Sequence, residues 1–219
     1  MLREVAVSGA SGKTGYRIAE ELIKADLNPR LLIRPQSHLP DQLNKCPHQR
    51  ISLFDSGALD RALTGADALV IATGARPSVD LTAPMRVDAF GVKRQVESCL
   101  RVGVPRIVLV SSLCAGRWNH PLNLFGLILV WKRMGEASLE TSGLDWTVIR
   151  PGGLSEREKD LDEGIVWSGP DVQTSNSIPR RLVARCCIEA LMTPASIGRI
   201  LEVTSSAEQP KQALCDVEL

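Results

Sequence analysis

The sequence predicts an α/β protein: a doubly wound, mostly parallel sheet with helices on both faces and a small C-terminal substrate region. Three observations lead there. Short apolar runs rich in β-branched residues alternate with longer helical patterns, as strands and crossover helices do. A glycine-rich turn follows the first apolar run directly and opens the first helical pattern. The 219 residues are 44% hydrophobic, enough for one well-buried core, so a single domain over residues 1–219 is expected.

Taken in order, strands are predicted at Glu4–Ser8, Pro29–Arg34, Arg50–Leu53, Ala68–Thr73, Arg106–Ser111, Trp146–Arg150 and Ile200–Thr204. Helices are predicted at Lys13–Ala25, Ser56–Leu63, Pro84–Val102, Leu122–Thr141 and Pro179–Met192. No low-complexity linker or internal repeat divides the chain. Residues 155–178, rich in charge, Gly and Ser, read as an insertion over the sheet. The tail after Ser205 reads as loosely attached.

Charge and cysteine usage exclude several classes. Lys and Arg number 26 against 25 Asp and Glu, a balance that offers no clustered positive charge for nucleic acid or an anionic membrane. The six cysteines lie at 46, 99, 114, 186, 187 and 215, without a C-x-x-C pair, so neither a disulfide framework nor a metal site is expected. They read as reduced thiols. The opening "MLREVAVSGAS" carries charge where a signal peptide carries its apolar run. The longest apolar stretch, Leu124 to Trp131, is too short to span a bilayer. A cytoplasmic protein, monomeric or weakly dimeric, is the expectation.

The turn itself is "VAVSGASGKTG". Gly9, Gly12 and Gly15 form G-x-x-G-x-x-G, with Ser11, Lys13 and Thr14 between them. Glycines let the backbone turn tightly and approach a pyrophosphate, whose charge the following helix N-terminus holds. At a strand-to-helix turn near the start of an alternating chain, this spacing marks a Rossmann-type dinucleotide site. The second strand selects between cofactors. NAD binders usually end it with an acid, roughly 20 residues past the glycines. Here "RLLIRPQS" ends in Arg34, with Ser37 and His38 behind it, and an arginine fork matches a 2′-phosphate. NADP(H) is the expected cofactor.

The glycine loop, "LFDSGAL", "VIATGARP", "VPRIVLVSSL", "WKRMGEASLETSGLDWTVIRPGG" and "SIPRRLVARCCIEAL" together resemble, in order, the atypical short-chain dehydrogenase/reductases. The resemblance covers roughly residues 4–204 and is nearest to the small branch of flavin and biliverdin reductases and of plant and cyanobacterial NAD(P)-binding proteins. It implies a Rossmann sheet with a reduced substrate region. It implies adenine contacts at Asp55 and Ser56, and a loop beside the cofactor phosphates and ribose at Thr73, Gly74, Ala75 and Arg76. It places Ser111 and Ser112 at the end of the fifth strand, with Ser112 facing the nicotinamide, and gives Lys132 the nicotinamide ribose. Pro151, Gly152 and Gly153 fall against the carboxamide. Singly, such residues also have structural uses: Asp55 is placed to cap the helix at Ser56.

One position departs from the larger family. Ketone and alcohol dehydrogenases pair their lysine with a tyrosine four residues earlier, whose phenol passes a proton to or from oxygen. Here Ile128 stands four residues before Lys132, and the chain's one tyrosine is Tyr16. A positioned acid is worth roughly 10²–10⁴ in rate, so ordinary carbonyl reduction is disfavoured. Flavins and linear tetrapyrroles delocalise the incoming charge, and the proton then comes from water or from the acceptor itself. An NADPH-dependent flavin or biliverdin reductase is therefore the expected activity, with Ser112 and Lys132 as its catalytic residues. Trp118 and Trp131 are candidates for a flat substrate pocket, and "RWNHPLNLFG" is a candidate lid. Two other classes stay open: a non-catalytic NADP(H)-binding sensor or assembly factor, and a sugar epimerase or dehydratase.

Overall fold

The computed structural model describes residues 2–75, 80–124, 126–158, 161–174 and 176–217. Its strands are β1 (Glu4–Ser8), β2 (Asn28–Ile33), β3 (His48–Arg50), β4 (Ala68–Ile71), β5 (Arg106–Val110), β6 (Asp145–Pro151), β7 (Gly153–Ser155), β8 (Gly164–Ser168), β9 (Ser177–Pro179) and β10 (Arg199–Ser206). The helices are α1 (Gly15–Lys24), α2 (Ser56–Leu63), α3 (Gly91–Val102), α4 (Ile128–Glu140) and α5 (Arg180–Met192). Eight strands form one sheet in the order β3-β2-β1-β4-β5-β6-β10-β8, and β7 pairs with β9 in a small second sheet. Every neighbouring pair in the large sheet is parallel except β10 with β8.

Strand alternation divides the core into two layers. Val5 and Val7 of β1, Val70 of β4 and Val108 of β5 face α1 and α5, where they meet Ile18, Leu22, Leu182 and Cys186. Ala6, Leu69, Ile71, Ile107 and Leu109 face the other way, onto Leu59 and Leu63 of α2 and Val92 and Val96 of α3. Both faces are buried, so these strands read as continuous apolar runs rather than alternating ones. The chain order reverses between β1 and β4, and ligands bind in such sheets in the crevice outside that reversal.

Two sequence expectations need correction. Residues 155–178 are not an insertion over the sheet, because β8 completes its edge, pairing Trp167 with Val203 and Val166 with Thr204. The tail is not loose either: Leu214 is buried, and its amide donates to Glu189. The helix predicted at Pro84–Val102 begins as a wide π-helix, Met85–Phe90, before continuing as α3. The helix predicted from Leu122 starts regular α geometry at Ile128, after a 3₁₀ turn at Pro121–Leu124.

Candidate cofactor cleft

The loop between β1 and α1 is built from glycines for two separate reasons. Gly9 holds φ at +81°, and a Cβ there would lie 2.8 Å from the Ala72 carbonyl oxygen of the next strand's loop. A Cβ at Gly15 would run into the Gly9 carbonyl, so α1 starts only against a bare backbone. Gly12 donates to Gly9 O at 2.8 Å, which closes the turn and leaves Gly12 lining the crevice.

That crevice has a volume of about 460 Å³ and runs along Ser11, Gly12, Arg34, Leu53, Phe54 and Thr73. A second, polar hollow of about 360 Å³ continues it, between Ser11, Arg34, Ser37 and His38. Arg34 is exposed and stands just past β2, beside that hollow. Two atoms test the fit of a dinucleotide. Ser8 Oγ and Thr73 Oγ1 are buried with no hydrogen-bond partner, and both residues line the crevice. An unmet buried hydroxyl costs about 1–3 kcal/mol; polar ligand atoms in the cleft would meet both. The residues present fit the cofactor.

At the other end of the cleft lies Lys132, on the second turn of α4. Its ammonium donates to Asp88 Oδ1 at 2.8 Å, while Asp88 Oδ2 accepts from the Ala75 amide at 3.1 Å. Asp88 is 3% exposed. The lysine is thus aimed, with its Nζ within 3.9 Å of where a Gly74 side chain would begin. The π-helix Met85–Phe90 delivers Asp88, and Gly135 of α4 makes room, since a Cβ there would strike the Asp88 carbonyl. Asp88 was not anticipated. The available signal was a glycine inside a helical pattern, which marks a close backbone approach.

Other expected residues fall differently. Ser111 has its side chain already engaged: its buried hydroxyl donates to Glu136 Oε1 at 2.5 Å. Asp55 caps α2, accepting from the Ala58 amide at 2.9 Å. It and Ser56 stand just beyond the crevice, whose wall here is Ser52, Leu53 and Phe54. Ser112 lies two residues past β5 and is half-buried. Pro151 and Gly152 are buried, Gly153 is exposed, and Gly152 is a packing glycine, with Asn176 O only 2.5 Å from a Cβ there. Trp131 donates to Gly126 O at 3.1 Å, whereas Trp118 is 64% exposed. Ile128 packs against Leu113, Cys114 and Leu129. Arg76 lies outside the described residues. Lys13 and Thr14 are both engaged by side chains, Glu156 and Arg180.

Behind Ser111 sits a buried ionic group that sequence reasoning missed. Arg150, 1% exposed, donates to both oxygens of Glu136 at 2.9 and 2.7 Å and lies 3.7 Å from Glu202. Glu202 in turn accepts from the amides of Asp171, Val172 and Gln173. No helix among the described residues is long and apolar enough to cross a membrane.

Known proteins share this sequence pattern and this fold. The NAD(P)H-binding family profile matches residues 9–194. An uncharacterised chloroplastic protein of Arabidopsis thaliana is 34% identical over 98% of this chain and 81% of its own. Sanguinarine reductase of Eschscholzia californica is 30% identical over 97% of this chain and 92% of its own. Among solved structures, a protein of Bacillus halodurans described as a NAD-dependent epimerase/dehydratase superposes with a TM-score of 0.85 at 25% identity, covering 98% and 97% of the two chains. A short-chain dehydrogenase/reductase of Veillonella parvula in complex with NADP has the same fold, with a TM-score of 0.75 at 16% identity over 100% of both chains. The cytoplasmic expectation does not stand, because relatives this similar are chloroplastic proteins. The chain belongs to the NAD(P)H-binding family, of the atypical short-chain dehydrogenase/reductase type, and its cofactor is NAD(P)H.

Proposed function

We propose that this oxidoreductase-type protein is an NADPH-dependent reductase of flat, conjugated acceptors of the flavin or linear tetrapyrrole class, working in a plastid. One observation carries the reading. Lys132 is kept and held in place by Asp88, while the position one turn earlier is the apolar Ile128, packed among Leu113, Cys114 and Leu129. The residues that orient a nucleotide are present, and the phenol that protonates an alkoxide is not.

Bound NADPH supplies the hydride. Arg34 takes the 2′-phosphate, the Ser11–Gly12 backbone the pyrophosphate, and Lys132 the nicotinamide ribose. Ser112 orients the acceptor at the end of β5. Proximity and orientation lower a barrier by ~7–11 kcal/mol in favourable systems, more than one positioned acid contributes. The epimerase reading is disfavoured by the same Ile128, since sugar oxidation and reduction at a hydroxyl need that proton transfer. Sanguinarine reductase, a relative named as a reductase, supports redox turnover over a purely sensory role.

The test follows NADPH absorbance with FMN, biliverdin, a quinone and a simple ketone in parallel. Turnover of a conjugated acceptor with none of the ketone supports the reading. Preferential turnover of the ketone, or binding without turnover of any acceptor, overturns it.

A further inference from the structure

The mouth of the glycine loop carries an arrangement that cofactor binding in this fold does not require. Lys13 of the loop and Arg180, the first residue of α5, both donate to one oxygen of Glu156, at 3.0 and 2.9 Å to Oε1. Arg180 also donates to the hydroxyl of Thr14, the residue that precedes α1, at 3.0 Å. That bond brings the starts of α1 and α5 together, so two helix N-termini present their positive ends beside two cations. Glu156 comes from the segment after β7. Its other oxygen accepts from Arg17 at 3.3 Å. Burial pushes the Glu156 carboxyl up, but the hydrogen bonds from Lys13 and Arg180 outweigh it and hold the group below the usual carboxylate range. Glu156 is an anion at neutral pH.

We infer that Glu156 occupies the electrostatic place of the cofactor pyrophosphate, and that Lys13 and Arg180 exchange this carboxylate for the phosphates when NAD(P)H binds. Three features make the exchange feasible. Glu156 and Lys13 are 47% and 67% exposed, and exposed ion pairs are worth little. A pyrophosphate brings two charges to the glycine loop, whose Ser8, Ser11 and Gly12 line the crevice that ends one residue before Lys13, with the buried Ser8 hydroxyl still unpartnered. Arg17 does not need to let go. It is 4% exposed, donates to Lys13 O, and also binds Glu158, so it keeps the 156–158 segment fastened to α1 after the swap. Arg180 is thereby a cofactor-binding residue that reads the pyrophosphate, common to both nicotinamide dinucleotides, whereas Arg34 reads the 2′-phosphate. The inference depends on the cofactor cleft and not on which acceptor is reduced.

Titrating NADPH and NADH by nucleotide fluorescence into wild type, Glu156→Gln and Arg180→Gln tests it. Arg180→Gln should weaken both cofactors alike, by roughly ten-fold or about 1.4 kcal/mol. Glu156→Gln should do the opposite and tighten both several-fold, because the competing charge is gone. In the Arg180→Gln background the gain from Glu156→Gln should shrink, since the two residues share a contact. Where Glu156→Gln does not fold, Glu156→Asp carries the test. Its shorter side chain cannot reach all three cations, so it too should tighten binding. A purely structural clasp predicts looser or unchanged binding for both Glu156 variants, and that result overturns the inference. So does an Arg180→Gln protein that binds both cofactors like wild type, or one that loses NADPH selectively.

Discussion

At Arg34 a single guanidinium stands over a polar hollow between Ser11, Ser37 and His38. A charge-assisted contact to a phosphate is worth on the order of 1.5–3 kcal/mol. Arg34→Ala should therefore weaken NADPH by that amount in a binding titration and leave NADH nearly unchanged; equal losses would remove Arg34 from cofactor selection. Lys132 and Ser112 should separate in the same way. Lys132→Ala, which also strands the buried Asp88, should impair NADPH affinity and turnover together, while Ser112→Ala should slow turnover at near-normal affinity. An unimpaired Lys132→Ala protein would show that this site is misread. The places of Arg34, Lys132 and the glycines in the fold were legible in the sequence because each sits at a fixed step from a strand end or on a helix turn. Ser111 was not, since adjacent serines at a strand end point to opposite sides, and its partner Glu136 lies 25 residues away. Asp88 was hidden for a similar reason: its meaning depends on the α4 helix that packs against it.

Elements repeat that division between local and long-range information. The strands β1, β2, β4, β5 and β6 and helix α2 announce themselves by apolar runs and caps; β3 is the polar, exposed His48–Arg50, ahead of the expected Arg50–Leu53, and β8 is a short edge strand whose partner, β10, follows more than thirty residues later. Its half-polar sequence, GIVWS, reads as loop until β10 is beside it. The π-helical start of the Met85–Phe90 stretch is equally invisible, because the same residues fit a regular helical pattern; packing on Gly135 decides. The buried Arg150 joins three elements, β6, α4 and β10, through Glu136 and Glu202, both 0% exposed. Removing the shared cation leaves three carboxylates, Glu136, Glu202 and Asp171, without it, and breaking a buried ion pair from one side costs roughly 3–5 kcal/mol. Arg150→Met should lower the free energy of urea unfolding by about that much. A loss within experimental error would mean that the group is far better hydrated than its burial indicates.

Over the whole molecule, the strand order β3-β2-β1-β4-β5-β6 puts the proposed cofactor contacts on one rim of the sheet, at the strand ends where the alternating sequence pattern led them to be expected. The fold's far rim contributes stability instead. There the Asp67 carboxylate accepts from the Glu4 and Arg3 amides, both at 2.8 Å, which hold it below the usual carboxylate range. A depressed folded value means that its stabilisation is complete above the unfolded pKa, about 3.9, and is lost as pH falls through the folded one. Asp67→Asn should flatten the acid limb of a stability–pH curve measured by urea unfolding; an unchanged limb would assign acid sensitivity elsewhere. At the opposite rim, the proposed hydride transfer proceeds by placement, with no side-chain acid at residue 128. The most direct measurement is the single-turnover rate of NADPH oxidation by FMN and by biliverdin, for wild type and Ile128→Tyr. The account predicts equal or lower rates for the variant, since that chemistry does not wait for a phenolic proton. A large acceleration by Ile128→Tyr would contradict it.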